Sequence, residues 1–160
     1  VITSPAGFSI SENSTAVTVV TATDADLPPQ PLPYSIVSGA DAAVFTINTS
    51  TGALDFVTAR DYDAPNAVGS DNIYNVVIQV SDGAFTVTQE LAVTVLPLND
   101  NAPVVTSPDK FSIPENTTTI ATLTATDADR PSQPLTYSIV GGADAAITAG
   151  ASPAGLPAHI

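Results

Sequence analysis

Leu98-Asn99-Asp100-Asn101-Ala102-Pro103 divides the chain into a finished unit and a second beginning. The stretch is short, polar and closed by a proline, the composition of a linker. An alternating apolar run over residues 85–96 ends just before it. After it the chain starts over: Val104-Val105-Thr106-Ser107-Pro108 repeats Val1-Ile2-Thr3-Ser4-Pro5, a shift of 103 from Val1 to Val104. The same shift pairs Phe8-Ser9-Ile10 with Phe111-Ser112-Ile113, Glu12-Asn13 with Glu115-Asn116, and Asp24-Ala25-Asp26 with Asp127-Ala128-Asp129. It also pairs Tyr34-Ser35-Ile36-Val37 with Tyr137-Ser138-Ile139-Val140. A fixed long period is the mark of a repeat array. The predicted organisation is one repeat over residues 1–97, a linker over 98–103, and the start of a second repeat over 104–160, incomplete at its end.

Repeat one reads as strands throughout. Predicted strands cover residues 8–10, 16–23, 32–37, 44–47, 53–56, 74–81 and 85–96, with one helical turn at 39–43. The sixth is the clearest: Tyr74, Val76, Ile78 and Val80 alternate with a more polar set, the period of a half-buried strand. Thr51-Gly52 and Asp82-Gly83 are turn signals. No sustained helical period occurs. Seven short strands in about 100 residues predict an all-β, seven-stranded Greek-key sandwich of immunoglobulin-like type.

The charge is lopsided. Of 160 residues, 44% are hydrophobic and only 12% charged, and 16 acids face 3 bases for a net charge of −13. That sign excludes nucleic acid and anionic membrane as natural partners, which call for Lys and Arg, and it favours cations. No apolar run is long enough for a bilayer-spanning helix. With no Met in it, the chain is expected to be a fragment or a processed product. It has no Cys, so no disulfide framework is available. Sequons at Asn13, Asn48 and Asn116 arise easily by chance in a Thr/Ser-rich chain.

If successive strands run alternately down and up, the acids fall at the two ends of the sandwich. Glu12, the pair Asp61 and Asp63, and Asp100 lie at the lower end; Asp24, Asp26 and Asp82 lie at the upper. A second repeat stacked below brings Asp127 and Asp129 to the same junction. Ordinary solvated turn acids are the plain alternative. Six acids at one joint strain that alternative, because two carboxylates ~5 Å apart at an effective dielectric of ~20 repel by roughly 3 kcal/mol. Arg60 and Arg130 are the bases nearby, expected to pair with neighbouring acids. A hard divalent cation with oxygen ligands would offset the repulsion, and Ca²⁺ accepts six to eight such ligands. Zinc would want His or Cys, and the one His is His159.

In these motifs the chain resembles tandem cadherin repeats, up to about residue 146. Asn99-Asp100-Asn101-Ala102-Pro103 matches that family's N-D-N-x-P linker. Ser11-Glu12-Asn13 and Pro114-Glu115-Asn116 match its P-E-N, Asp24-Ala25-Asp26 and Asp127-Ala128-Asp129 its D-x-D. Asp61-Tyr62-Asp63 stands for its D-R-E, and Asp82 for its acid between the last two strands. The resemblance implies up to three Ca²⁺ ions at the junction. Side chains of Glu12, Asp61, Asp63, Asp100, Asp127 and Asp129 would bind them, with main-chain carbonyls of Asn99 and Asn101. Asp24, Asp26, Asp82 and Glu115 would belong to outer, incomplete junctions. Leu98 stands where the family has a polar residue and offers only its carbonyl. Pro97 replaces an Asp, and Asp63 a longer Glu. No Trp is present to anchor strand exchange. The Ala/Thr/Asp/Pro-rich style resembles cadherin-type repeats of bacterial surface proteins.

The expected function is therefore a calcium-binding extracellular module in a cell-surface or secreted adhesion protein, stiffened between repeats by Ca²⁺. Its expected partners are calcium ions, neighbouring repeats and a homophilic or glycan partner. The alternatives are a glycan- or partner-binding module, or the accessory domain of a secreted enzyme. The carboxylate pair Asp61 and Asp63 sits at a domain end, not in a pocket suited to acid–base catalysis, so no enzyme is expected. Tyr74 is expected in the core and Tyr62 against the linker. Asp41, in the 39–43 turn, is expected to matter to neither metal nor joint. Repeat two departs from the pattern of repeat one after residue 146, so it is expected to be frayed as a monomer or to assemble through an open edge.

Overall fold

The computed structural model describes residues 1–144. Nine strands form among the described residues: β1 (Gly7–Ser11), β2 (Ala16–Val19), β3 (Tyr34–Ser38), β4 (Phe45–Ile47), β5 (Ala53–Phe56), β6 (Ile73–Ser81), β7 (Thr86–Leu96), β8 (Val104–Val105) and β9 (Ala125–Thr126), with a 3-10 turn at Ala42–Val44. The first seven make two facing sheets, ordered β1-β7-β6-β3 and β2-β5-β4. This is the expected all-β sandwich.

Period-2 alternation builds the core. Tyr74, Val76, Ile78 and Val80 of β6 are buried, and Leu91, Val93 and Val95 of β7 face the same way. Val20, Leu54, Phe45 and Phe56 close the core from the other side. Phe45 stacks on Phe56 with ring centroids 4.5 Å apart, and Phe56 meets Tyr74 edge-on at 5.1 Å, joining the two sheets. Such aromatic pairs contribute about 0.5–1.5 kcal/mol beyond area burial. Gly52 closes the β4–β5 hairpin at φ +73°, where an added Cβ would meet the Val20 carbonyl oxygen at 2.2 Å.

Several boundaries differ from expectation, each for a local reason. The predicted strand at 16–23 stops at Val19. Beyond it the chain leaves β5 and takes the N-terminal segment as partner: Ile2 bridges Ala22, and the Thr3 amide donates to the Thr21 carbonyl at 2.8 Å. β3 begins at Tyr34 because Pro31 and Pro33 have no N–H to give a ladder. Asp41, set apart from metal and joint by the sequence reading, has a structural role in the fold. It is buried, and its two oxygens accept the main-chain N–H groups of Val68 at 2.7 Å and Asn75 at 2.9 Å. Tyr62 is partly buried against the core cluster.

β1 pairs with β7 in parallel, from Gly7 opposite Ala92 to Ser11 opposite Leu96. Both strands therefore finish at the same end, and the next residue, Glu12, donates its amide to the Leu96 carbonyl at 2.9 Å. The sheet register thus sets Glu12 beside the linker. Beyond the linker the pattern recurs in miniature. β8 pairs with β9, and the Thr106 amide donates to the Thr124 carbonyl at 2.8 Å, as Thr3 does to Thr21. Asn13 and Asn116 take matching left-handed conformations, φ 63° and 60°. The departure from the repeat after residue 146 lies outside the described residues.

Candidate metal centre at the linker

Three elements deliver acids to the lower end of the sandwich: the turn after β1, the 57–72 loop between β5 and β6, and the linker after β7. Glu12 is buried and its carboxylate joins all three. One oxygen accepts the Tyr62 amide at 2.7 Å and the other the Leu98 amide at 2.6 Å. Leu98 thus meets the site through its N–H.

Two carboxylate groups form here, each with one oxygen per residue within 4.8 Å of the others: Glu12, Asp61 and Asp63, and then Asp63, Asp100 and Asp129. Asp63 belongs to both. Asp61 also shapes its own loop, its Oδ1 accepting the amides of Asp63 at 2.9 Å and Ala64 at 3.1 Å. Asp127 borders the same open cleft as Asp61 and Asp63. Its Oδ1 accepts the Asp129 amide at 3.1 Å, and it joins no carboxylate group among the described residues.

Asp129 carries the strongest signal. It is only 3% exposed, and its Oδ2 has no hydrogen-bond partner among the described residues. The other oxygen accepts the Asn101 amide at 3.0 Å and the Asn101 side-chain N–H at 2.9 Å. Those bonds, led by the Asn101 side chain, hold its carboxyl below the ordinary carboxylate range, against the opposing pull of burial. Asn101 therefore enters the site through its side chain. Its Nδ2 also donates to Asp63 at 2.8 Å and Asp100 at 3.0 Å. A neutral amide with two hydrogens cannot saturate three carboxylates. The Asn99 side chain donates to Gln133 at 2.8 Å.

The bases do not neutralise this cluster as expected. Arg60 is buried and donates to Thr58 and Asn66 instead. Arg130 reaches Asp63 only through its main-chain N–H, at 2.6 Å. Asn13, named from the sequence as the companion of Glu12 and as a sequon, contributes unforeseen: its Nδ2 donates to Asp100. Its recurrence as Asn116 in the second repeat was the available signal.

At the opposite end Asp24, Asp26 and Asp82 form a third group within 4.8 Å. Asp82 accepts the amides of Ala84 at 2.7 Å and Phe85 at 2.6 Å, and these bonds lower its pKa. Glu115 is exposed and belongs to no such group among the described residues.

A family model described as Cadherin domain matches residues 7–96, the span from the start of β1 to the end of β7. Mouse Protocadherin Fat 4 is 36% identical over 104 residues, covering 60% of this chain and 2% of that protein. Xenopus laevis Cadherin-2A is 36% identical over 155 residues, covering 82% of this chain and 16% of that protein. The chain thus spans a small part of either relative. Among solved structures, human Protocadherin-24 EC1-2 superposes with a TM-score of 0.59 at 27% identity, over 78% of this chain and 56% of that one.

Proposed function

The chain belongs to the cadherin family, whose repeats are extracellular, cell-surface adhesion modules, and on that premise we propose that it is a calcium-dependent spacer whose 98–103 linker is the ion-binding joint between repeats at 1–97 and 104–160. The observation that carries this reading is the buried Asp129 oxygen, without a hydrogen-bond partner among the described residues and set among carboxylates that no side-chain base of those residues neutralises. An unpartnered buried polar atom is unfavourable by about 1–3 kcal/mol, and more when charged. The donor set consists of oxygens alone, which suits Ca²⁺ and not zinc. Glu12, Asp61, Asp63, Asp100 and Asp129 would hold the ions, with Asp127 at the margin. Bound Ca²⁺ would supply the positive charge that the joint lacks.

The role is mechanical, without catalysis. Carboxylates from both sides of the linker share one cation, so the joint stiffens and positions adhesion carried by neighbouring repeats. Homophilic contact through those repeats belongs to the same reading. Extracellular sites of this class bind with Kd on the order of 10⁻⁴–10⁻³ M. At Kd ~0.1 mM and ~2 mM free Ca²⁺, each site stabilises the fold by roughly 1.8 kcal/mol. Calorimetry should show Ca²⁺ uptake, EDTA should lower the melting temperature, and Mg²⁺ should restore little of it. A melting curve indifferent to EDTA would reject the proposal.

A further inference from the structure

We propose that Arg60 is the positioning residue of the cation site, a buried fork that holds the Asp61–Asp63 segment in its binding shape before any ion arrives. The inference rests on the calcium reading above. Arg60 lies immediately before Asp61, yet its side chain points inward and is only 5% exposed. A buried guanidinium is normally held by a carboxylate. This one is held by neutral groups. Nε and Nη2 donate to the Thr58 carbonyl at 2.8 and 2.6 Å, Nη2 also meets the Thr58 hydroxyl, and Nη1 donates to the Asn66 side-chain oxygen at 3.1 Å. Its carbon centre sits 5.4 Å from the Phe56 ring centroid and 5.9 Å from that of Tyr74, within cation–π range of both.

The partners explain the placement. Thr58 precedes the two acids and Asn66 follows them, so one planar group clamps the loop on both sides. Asn66 is itself anchored, since Tyr74 donates its hydroxyl to the same oxygen at 3.0 Å. The Arg60 carbonyl accepts the Asn13 amide at 2.9 Å, which ties the Glu12 turn to the same point. Asp61 and Asp63 repel one another, and an untethered loop would relieve that repulsion by opening. The clamp keeps the loop closed, so less ordering has to accompany ion binding. The fork geometry and the ring contacts are particular to arginine; lysine has the charge but can neither bridge both partners nor stack as a plane.

The test is calcium titration of the whole chain as wild type, Arg60→Lys, Arg60→Leu and Val93→Ala, with melting curves in EDTA and hydrogen exchange at residues 61–64. Loss of an outer support to a metal ligand typically weakens binding 10–100-fold. Arg60→Lys, folded by circular dichroism, should raise Kd by on the order of 10-fold and speed exchange at 61–64. Val93→Ala is a core change in β7; it should lower the EDTA melting temperature and leave Kd within twofold. Arg60→Lys decides the matter should Arg60→Leu fail to fold. A Kd within twofold of wild type for the Arg60 variants overturns the role, as does a Val93→Ala loss of affinity equal to theirs. A wild-type chain that takes up no Ca²⁺ fails the calcium reading itself, and this inference with it.

Discussion

Asp26 and Asp129 occupy the same place in the two repeats, one exposed and the other 3% exposed. Their local sequences match, so the difference comes from what covers them. Asp129 has the linker and the Asp63 loop over it; Asp26 has no such cover among the described residues. Asp129→Asn keeps the size and one acceptor but removes the charge. It should weaken Ca²⁺ binding by at least about 10-fold, the scale of one lost charged ligand interaction at ~1.4 kcal/mol or more. Asp26→Asn should leave affinity at the joint unchanged. Parallel calorimetric titrations distinguish them, and equal losses would mean that burial does not mark the ligand. Asp41→Ala should behave in the opposite way. It strands the amides of Val68 and Asn75, so it should destabilise the fold by about 1–3 kcal/mol. Its Ca²⁺ affinity should stay near wild type, and urea unfolding in EDTA is the measurement. The acids on the D-x-D, D-Y-D and N-D-N motifs were legible because turn chemistry and spacing mark loop ends. Asp41 was not, because its value lies in two amides 27 and 34 residues away, a pairing that no local pattern encodes. Arg60 misled for the same reason: its position beside Asp61 pointed to an ion pair, and its burial over Phe56 and Tyr74 is a tertiary fact.

At the scale of elements, alternation marked β6 most clearly, since that strand buries one face and the period shows it; the other strands were read mainly from composition and from the turn residues and prolines between them. The ends were harder to read. Residues 21–23 carry strand-forming side chains, yet they change partners, because the N-terminal Val1-Ile2-Thr3 segment competes for the same main-chain groups. The β6–β7 turn shows a charged side chain bonded to the main chain of its own hairpin. Asp82 accepts two amides across the turn, which lowers its pKa from the ordinary 3.8. A carboxyl whose folded pKa is depressed stabilises the fold above its unfolded value and loses that contribution as pH falls through the folded one. Asp82→Ala should therefore be less stable than wild type near pH 7. The gap should narrow below pH ~3.8 as the wild-type carboxylate takes up its proton. Melting curves in EDTA from pH 7 to pH 2 keep metal out of the comparison. A gap that stays constant down to pH 2 would show that the bonds to Ala84 and Phe85 do not prefer the charged form.

Across the whole molecule, equal sequences have unequal surroundings. Val20 is 0% exposed and its counterpart Leu123 50%; Tyr34 is 8% exposed and Tyr137 55%. In repeat one these side chains are covered by β4 to β7. Among the described residues beyond the linker, ladder pairing is confined to β8 and β9, four residues in all: two in each. The repeat was legible from the shift of 103, but residue-for-residue likeness does not carry burial with it, since burial depends on strands far along the chain. Protection from hydrogen exchange should follow burial rather than sequence. Amides of β6 at 74–80 sit in a central strand with ladders on both sides and should exchange only through global unfolding. Amides at 121–140 have the same residue types but little beyond the β8–β9 pair to protect them, so they should exchange through local opening, orders of magnitude faster. Ca²⁺ should slow exchange near Asp127 and Asp129, where the junction holds the chain, and have less effect at 132–140. The measurement belongs in dilute, Ca²⁺-containing solution with the chain verified as monomeric, because a second molecule laid over the apolar face would add protection of its own. Protection at 121–140 equal to that at 74–80 in such a monomer would refute the expectation and show that repeat two completes its own core.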